Sequence, residues 1–166
     1  EETVQRRLNE SEQRYRALFD GSMNAIYLHD FDGNFVDAND AALNLLGYTG
    51  NELGALHFGS LLMPEDLPAA WDRVETVKAQ GVHTESMVYS LKRKDGKQIY
   101  VETMSSIISR NNAPPVIQGV ARDITGRKQS ETQLRFLNRT AMELLALADE
   151  DSIYRYMGNQ LHDLLD

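Results

Sequence analysis

Hydrophobic residues near the start of the chain recur at the spacing of an amphipathic helix. The stripe consists of Val4, Leu8, Ser11, Tyr15 and Leu18. Alternating steps of four and three residues place these side chains on one side of a helix. A stripe this narrow is typical of a seam between two helices, although a helix folded back on its own domain remains open. We therefore predict an N-terminal amphipathic helix in residues 1–20.

The chain becomes helical again after Thr125. The repeating positions are Leu134, Leu137, Ala141, Leu144 and Ala148. They match a coiled-coil seam over about two heptads, which predicts a C-terminal signalling helix over residues 125–149. Another amphipathic segment starts in residues 150–166, and it is too short to form a core alone. We interpret it as the first helix of a following domain, so that the chain is a part of a longer protein.

The middle of the chain has short apolar runs separated by turn dipeptides, a pattern typical of strands. Five strands are predicted, over residues 25–30, 34–38, 82–92, 97–109 and 116–124. Asp32-Gly33 and Asp95-Gly96 supply the tight turns of two hairpins. Gly119 lies in the middle of the last strand, where a missing side chain often allows close packing.

Helices are predicted between the second and third strands. Asn39 has the character of an N-cap for a helix that ends at Gly47. Pro64 opens a further helical stretch, which runs to Gly81. The order of helix, two strands, helices and three strands predicts an α+β fold with a five-stranded antiparallel sheet, and a core domain over residues 21–124.

Composition excludes several classes of site. The chain has 166 residues, 25 acidic against 17 basic side chains, a net charge of −8 and no cysteine. The negative charge argues against nucleic-acid binding, and the lack of cysteine excludes disulfides, thiolate metal sites and a thiol-linked chromophore. No apolar run approaches the roughly 20 residues of a membrane span, so we expect no direct membrane contact and a cytoplasmic location.

Six short motifs together resemble a PAS domain in order and spacing. They are Ser11–Phe19, His29–Gly33, the helix after Asn39 that ends in Leu46-Gly47-Tyr48, Met63–Asp66, Lys94–Gly96 and Arg122–Lys128. The resemblance covers roughly residues 11–128. Residues 137–154 are similar to the opening of a GAF domain of the kind that follows PAS domains in microbial sensor kinases.

The resemblance implies a sensory or regulatory module with helices over one face of the sheet, a pocket between them, and output through the helix that leaves the last strand. It implies that the parent is a sensor histidine kinase. A ligand-free dimerisation or interaction module stays open, as does the input domain of a cyclic-dinucleotide enzyme or a transcription regulator. The residues show no catalytic constellation, so we expect this chain itself not to be an enzyme.

Alternation along the strands selects candidates for the pocket, because successive side chains point to opposite faces. With the loop and helix positions added, the candidates are Tyr27, His29, His57, Trp71, Met87, Tyr89, Leu91, Val101, Thr103, Ser105 and Ala121. They suit a small organic ligand or a packed core without one.

The residue types in this predicted pocket argue against the cofactors of the family. Flavin-binding PAS domains carry a reactive cysteine and amide side chains where this chain has Leu91, Val101 and Ala121. Haem-binding members place a histidine on the helix that corresponds to the one after Pro64-Glu65-Asp66 in this chain. In this chain that helix has no histidine. His57 could bind a group only if its loop pointed inward. The hairpin around Asp30 lacks the further acidic ligands of a calcium loop, so no metal is predicted.

Two residues at the end of the last strand are predicted to relay a signal. Thr125 stands where its hydroxyl would accept a backbone N–H from the first turn of the following helix, with Asp123 ending the strand beneath it. The family usually has Glu after this Thr, and here Gly126 weakens the first turn by up to about 1 kcal/mol. Since both terminal helices carry a seam, we predict a parallel homodimer that passes its signal to a downstream domain of the same chain.

Overall fold

A computed structural model describes residues 2–147, and its fold is α+β. Its helices are α1 (Glu2–Asp20), α2 (Asp40–Leu46), α3 (Phe58–Leu61), α4 (Leu67–Gln80) and α5 (Thr125–Leu147), with 3-10 turns at Gly50–Ala55 and Pro64–Asp66. Its strands are β1 (Ala25–His29), β2 (Phe35–Ala38), β3 (Val82–Lys92), β4 (Gln98–Arg110) and β5 (Ala113–Asp123). The predicted order of elements is confirmed.

The five strands form one antiparallel sheet in the order β2-β1-β5-β4-β3. Both predicted hairpins are present, and their turns contain Gly33 at φ +90° and Gly96 at φ +86°, a region that favours glycine. Strand β5 lies between the two hairpins and pairs with β1 on one side and β4 on the other. The last strand in the described part of the chain is therefore the central strand of the sheet.

Strand β5 begins earlier than predicted, at Ala113 instead of residue 116. The pairing of β4 with β5 shifts register between Ile108 and Arg110, and β1 reaches β5 only as far as Ile117. The two prolines at 114 and 115 lie in this irregular stretch, where the lack of an N–H does not interrupt a regular ladder. The Arg110 guanidinium closes the turn, with Nη2 donating to the Pro114 carbonyl at 2.7 Å.

The predicted limits of α2 are confirmed. The Asn39 side chain accepts the backbone N–H of Ala42 at the start of the helix. Gly47 ends the helix in the left-handed conformation, and its N–H donates to the Leu43 carbonyl. Gly81 ends α4 in the same way. These caps hold the two helices at fixed positions over the sheet.

One hydrophobic core fills the space between the sheet and helices α2, α3 and α4. Its least exposed apolar members include Ala42 on α2, Leu61 on α3, Val77 on α4, Val101 on β4 and Ile117 on β5. Each element therefore contributes its apolar face to the same cluster. Any pocket between the sheet and these helices therefore lies in the same layer of the fold as the hydrophobic core.

The seam residues of α1 are exposed, with Leu8 at 60% and Leu18 at 73% of their possible surface. On α5, Leu134 and Leu137 are exposed as well. Residues 1–125 form one compact unit, and α5 from residue 126 onward belongs to a second. The predicted GAF-like start at 150–166 lies outside the described residues. Across residues 2–147, no helix combines the length and the apolar character needed to cross a membrane.

Candidate ligand pocket

A cavity of about 80 Å³ lies inside the core, between the inner face of the sheet and helices α2, α3 and α4. Eight of the predicted pocket residues line it, namely Tyr27, His29, Tyr89, Leu91, Val101, Thr103, Ser105 and Ala121. They converge because strand alternation turns every second side chain to the same face. An ordered water needs at least about 10–15 Å³ of such space, so the cavity has room for several waters or a small organic molecule. That these side chains bind a ligand stays a prediction.

Three predicted pocket residues do not line the cavity. Trp71 is 38% exposed and lies against Phe58, with 4.8 Å between ring centroids. His57 Nδ1 accepts the N–H of Gly59, so its protonated Nε2 donates to the Asp32 carbonyl at 2.6 Å. His57 thus joins the first hairpin to α3 instead of pointing inward. Met87 packs against the edge of the core without reaching the cavity.

Sequence reasoning missed the part of the cavity wall that the helices supply and some of the strand residues. The additional lining residues are Ala25, Phe35, Ala42, Leu45, Leu46, Phe58, Leu61, Leu62, Ala70, Arg73, Val74, Val77 and Ile117. Arg73 differs from the rest because it carries a charge. It lies on the buried face of α4 with Ala70, Val74 and Val77, at steps of three, four and seven residues. That spacing was the available signal, since a charged residue on an apolar helical stripe is unusual.

The titratable groups of the cavity are shifted toward their neutral forms by burial. Burial raises the pKa of Tyr27 and of Tyr89, and at Tyr89 the shift is opposed by Arg73, first as a nearby hydrogen-bond donor and then through its charge. Burial lowers the pKa of His29, against the opposing effect of the Asp30 carbonyl that its Nδ1 contacts at 2.7 Å. The two phenols and the imidazole are therefore uncharged near neutral pH, whereas a guanidinium keeps its charge.

Gly119 leaves room on β5 for the ring of Tyr27, a cavity-lining residue on the neighbouring strand. Tyr27 and Gly119 are directly paired across β1 and β5. A Cβ atom at position 119 would overlap the tip of the Tyr27 ring. The close packing predicted at Gly119 is confirmed, because the phenol occupies the space that a side chain would need.

The end of β5 is tied to β4 by the two predicted relay residues. The Asp123 carboxylate accepts the N–H of Thr125 at 2.8 Å and its hydroxyl at 2.6 Å. The Thr125 Oγ1 in turn accepts the backbone N–H of Tyr100 at 3.0 Å. The predicted bond from this hydroxyl to the first helical turn is therefore wrong: Thr125 binds strand β4, and Asp123 binds Thr125.

A family model described as the PAS fold matches residues 35–121, which is more than half of the chain. The chain belongs to the PAS-fold family. The matched region runs from the start of β2 to the inner-face residue Ala121 on β5, so it contains most of the cavity wall. The resemblance drawn from the six motifs is confirmed.

Curated relatives of this PAS domain are sensor proteins. It is 26% identical over 159 residues to the sensor histidine kinase TmoS of Ectopseudomonas mendocina, and 29% identical over 146 residues to the methyl sulfide methyltransferase-associated sensor of Methanosarcina acetivorans. It is 27% identical over 144 residues to the probable diguanylate cyclase DgcE of Escherichia coli. These matches cover 95%, 86% and 86% of this chain. The chain spans only 16%, 14% and 13% of those proteins.

Solved structures show the same fold. The PAS domain of an HTR-like protein from Haloarcula marismortui superimposes with a TM-score of 0.65 at 21% identity, covering 75% of this chain and all of that one. An RNA-binding light-oxygen-voltage receptor superimposes with a TM-score of 0.61 at 22% identity, covering 77% of this chain and 37% of that one. At these identities the likeness concerns the fold alone.

The PAS domain is a sensory domain of signalling proteins and not a catalytic one. Within residues 2–147, no cluster of three or more His, Cys, Asp or Glu side chains is placed to hold a metal. The Asp30 carboxylate accepts N–H groups of Asp32 and Asn34 at 3.0 and 2.8 Å. These bonds explain the acidic residue in the hairpin as part of the turn itself.

Proposed function

We propose that this PAS domain senses a small organic molecule in its cavity and relays binding through the end of β5 to an output domain. The observation that carries this proposal is a largely apolar cavity in which Tyr27, Tyr89 and Thr103 offer polar groups. Binding sites for small molecules typically combine an apolar wall with a few polar groups that fix orientation.

We expect neither flavin nor haem in the cavity. Leu91, Val101 and Ala121 line it, and none of these aliphatic side chains can pair with the polar edge of a flavin. Leaving such polar groups unpaired costs roughly 1–3 kcal/mol for each group. Haem would need an axial ligand, and His57 is engaged by Asp32 and Gly59 outside the cavity.

The route of output that we propose uses Asp123 and Thr125. Their bonds connect the last residues of β5 to the backbone of β4, directly before α5 begins. A ligand that displaces the inner face of β4 or β5 would therefore change the start of the helix. Allosteric coupling of this kind usually amounts to about 1–3 kcal/mol.

We propose a histidine kinase as the output, supported by the relative TmoS. The diguanylate cyclase relative supports a cyclic-dinucleotide enzyme as the second candidate. Both proposals concern the whole protein, because the chain spans only a small part of either relative. A cytoplasmic location for the domain belongs to the same proposal.

A panel of small organic molecules is expected to include ligands that raise the melting temperature of the purified chain. A ligand at about 100 times its Kd adds about 2.7 kcal/mol to the stability of the folded state, which is easily measured by calorimetry. Ala121→Leu should abolish this rise because the added side chain enters the cavity. Val120→Leu places the same side chain on the opposite face of β5, and it should leave the rise unchanged.

Two results would contradict this proposal. One is an Ala121→Leu protein that stays folded by circular dichroism and responds to the panel as the wild type does. The other is a wild-type chain that responds to no member of the panel, which would favour a ligand-free interaction module. A purified chain that absorbs visible light through bound flavin or haem would contradict the expectation for cofactors.

We further propose a homodimer that is formed through the terminal helices. The support is the exposed stripe on α1, where Leu8, Tyr15 and Leu18 lie on one side of the helix. The described seam positions of α5 are exposed in the same manner. Unpaired apolar stripes on helices of this length are typical of two-helix seams.

Light scattering at tens of micromolar is expected to show a dimer for the wild-type chain and a monomer for the double variant Leu8→Glu, Leu18→Glu. The added charges would lie inside the seam, where they could not be solvated. The variant Asn9→Glu, Gln13→Glu adds the same charge to the other side of α1 and should stay dimeric. A monomeric wild type, or equal behaviour of the two variants, would refute a seam on α1.

A further inference from the structure

The cavity wall contains a buried cation that lacks a full set of partners. Arg73 is only 7% exposed, and its Nη2 donates to the backbone carbonyl of Glu85 at 2.8 Å. Its Nη1 has no hydrogen-bond partner among the described residues. Since Arg73 is one of the lining residues, an incompletely paired guanidinium forms part of the cavity wall.

A second buried polar group without a hydrogen-bond partner lies beside Arg73. The Tyr89 hydroxyl is buried and also lacks a hydrogen-bond partner in the described part of the chain. Arg73 lowers the pKa of Tyr89 both as a nearby side-chain hydrogen-bond donor and through its charge, so the two groups are neighbours, although no bond of full hydrogen-bond geometry joins them. Arg73 comes from α4 and Tyr89 from β3, so the helix and the sheet bring two unpaired donors to one corner of the cavity.

The Arg73 guanidinium has no acidic side chain in the cavity wall as its counter-ion. None of the residues that line the cavity is Asp or Glu. The acids whose charges raise the pKa of Tyr89 are Asp66 and Asp72. Asp66 Oδ2 already accepts the N–H of Ser90 at 2.6 Å, and Asp72 points to the exposed side of α4. Both carboxylates lower the positive electrostatic potential around Arg73, but neither is among the residues that line the cavity.

A buried charge without an anionic partner is strongly unfavourable, and a carboxylate is the anion that a guanidinium fits best. The fork of Arg donors matches the two oxygens of a carboxylate, and a phenol hydroxyl beside them can donate a further bond. Most of the other lining side chains are apolar, including Val74, Val77 and Leu91, and the remaining polar ones are Tyr27, His29, Thr103 and Ser105. The site therefore combines one cationic group with a largely apolar wall.

We propose that the cavity binds a small organic monocarboxylate, with its carboxylate at Arg73 Nη1 and the Tyr89 hydroxyl and its apolar part against α4 and β3. This inference rests on the proposed sensing function and specifies the chemical class of the ligand. It assigns to Arg73 the role of a binding residue for the anion.

Isothermal titration calorimetry with propionate, hexanoate and benzoate, each beside its primary amide, tests the inference. At least one acid is expected to bind the wild-type chain ten times or more tightly than its amide. Arg73→Met should remove this preference while leaving the binding of the amide within about threefold, because methionine keeps the apolar stem. Tyr89→Phe should weaken the acid alone. Arg73→Lys should retain part of the preference, because it keeps the charge but not the fork.

The outcomes separate this inference from the function on which it rests. Amides that bind as tightly as acids would overturn the carboxylate site and leave a sensor of neutral molecules. The same holds if Arg73→Met, shown to be folded by its circular dichroism and cooperative melting, keeps the preference for the acid. Failure of both acids and amides to bind the wild type would overturn the inference together with the proposed sensing of such ligands.

Discussion

Replacing Asn39 with alanine is expected to lower the free energy of unfolding by about 3 to 4 kcal/mol. Asn39 is fully buried, and its Oδ1 accepts the N–H groups of Ile26 and Ala42, each at 2.9 Å. Its Nδ2 donates to the carbonyls of Phe19 and Asn24 at 2.9 and 3.0 Å. Alanine would leave these backbone groups of α1, β1, α2 and the turn before β1 without that partner. Urea unfolding monitored by circular dichroism measures the loss.

Asn44→Ala is the matched control for this substitution. Asn44 lies on the same helix with an exposed side chain. Its removal should change stability by no more than about 0.5 kcal/mol, as is usual for surface positions. Equal losses at positions 39 and 44 would show that the network around Asn39 does not stabilise the fold.

Replacing Gly119 with valine is expected to destabilise the domain by about 2 to 3 kcal/mol, although valine is the better residue for a strand. The side chain would overlap the Tyr27 ring, which packs against the rings of His29 and Phe35. Movement of the phenol would also reduce the space for a ligand. Chemical unfolding gives the change in stability, and titration with any ligand found by the panel gives the change in affinity.

A double-mutant cycle shows whether the overlap is the cause. In a Tyr27→Leu background the ring tip is absent, so Gly119→Val should cost less than half of its effect in the wild type. The cycle compares the same substitution in two backgrounds and cancels the cost of Tyr27→Leu itself. An undiminished loss in the Tyr27→Leu background would mean that valine acts through the backbone of β5 and not through the phenol.

The strand residues of the cavity are predictable because successive side chains of a strand point strictly to opposite faces of the sheet. Tyr89, Thr103 and Ala121 were assigned to the inner face from parity, and the structure places all three on the cavity. Met87 has the same parity as Tyr89, since their partners Thr103 and Val101 are in regular register, and it packs against the core without lining the cavity. Alternation predicts the face on which a side chain lies, but not where along the strand the cavity ends.

The helical part of the site was less accessible to sequence reasoning. Trp71 is one of the predicted pocket residues, yet the buried stripe of α4 passes through Ala70 and Val74 and leaves Trp71 partly exposed to solvent. Counting at the helical period would have selected Arg73 instead. Asn39 was recognised only as a cap, because its bond to Ala42 is local, whereas its partner Phe19 lies twenty positions away.

The position of β5 also has a consequence for the order of assembly during synthesis. This strand is the last of the sheet to leave the ribosome, and it is the only described strand that joins the two hairpins. Until Ala113–Asp123 has emerged, β1 and β4 each expose an unpaired edge, and the core cannot close. The pairing of Ala25 with Ala121 then brings together, in one step, residues near the two ends of the domain in sequence. Such long-range contacts slow folding, so the nascent domain stays open to aggregation or to chaperones until its final strand arrives.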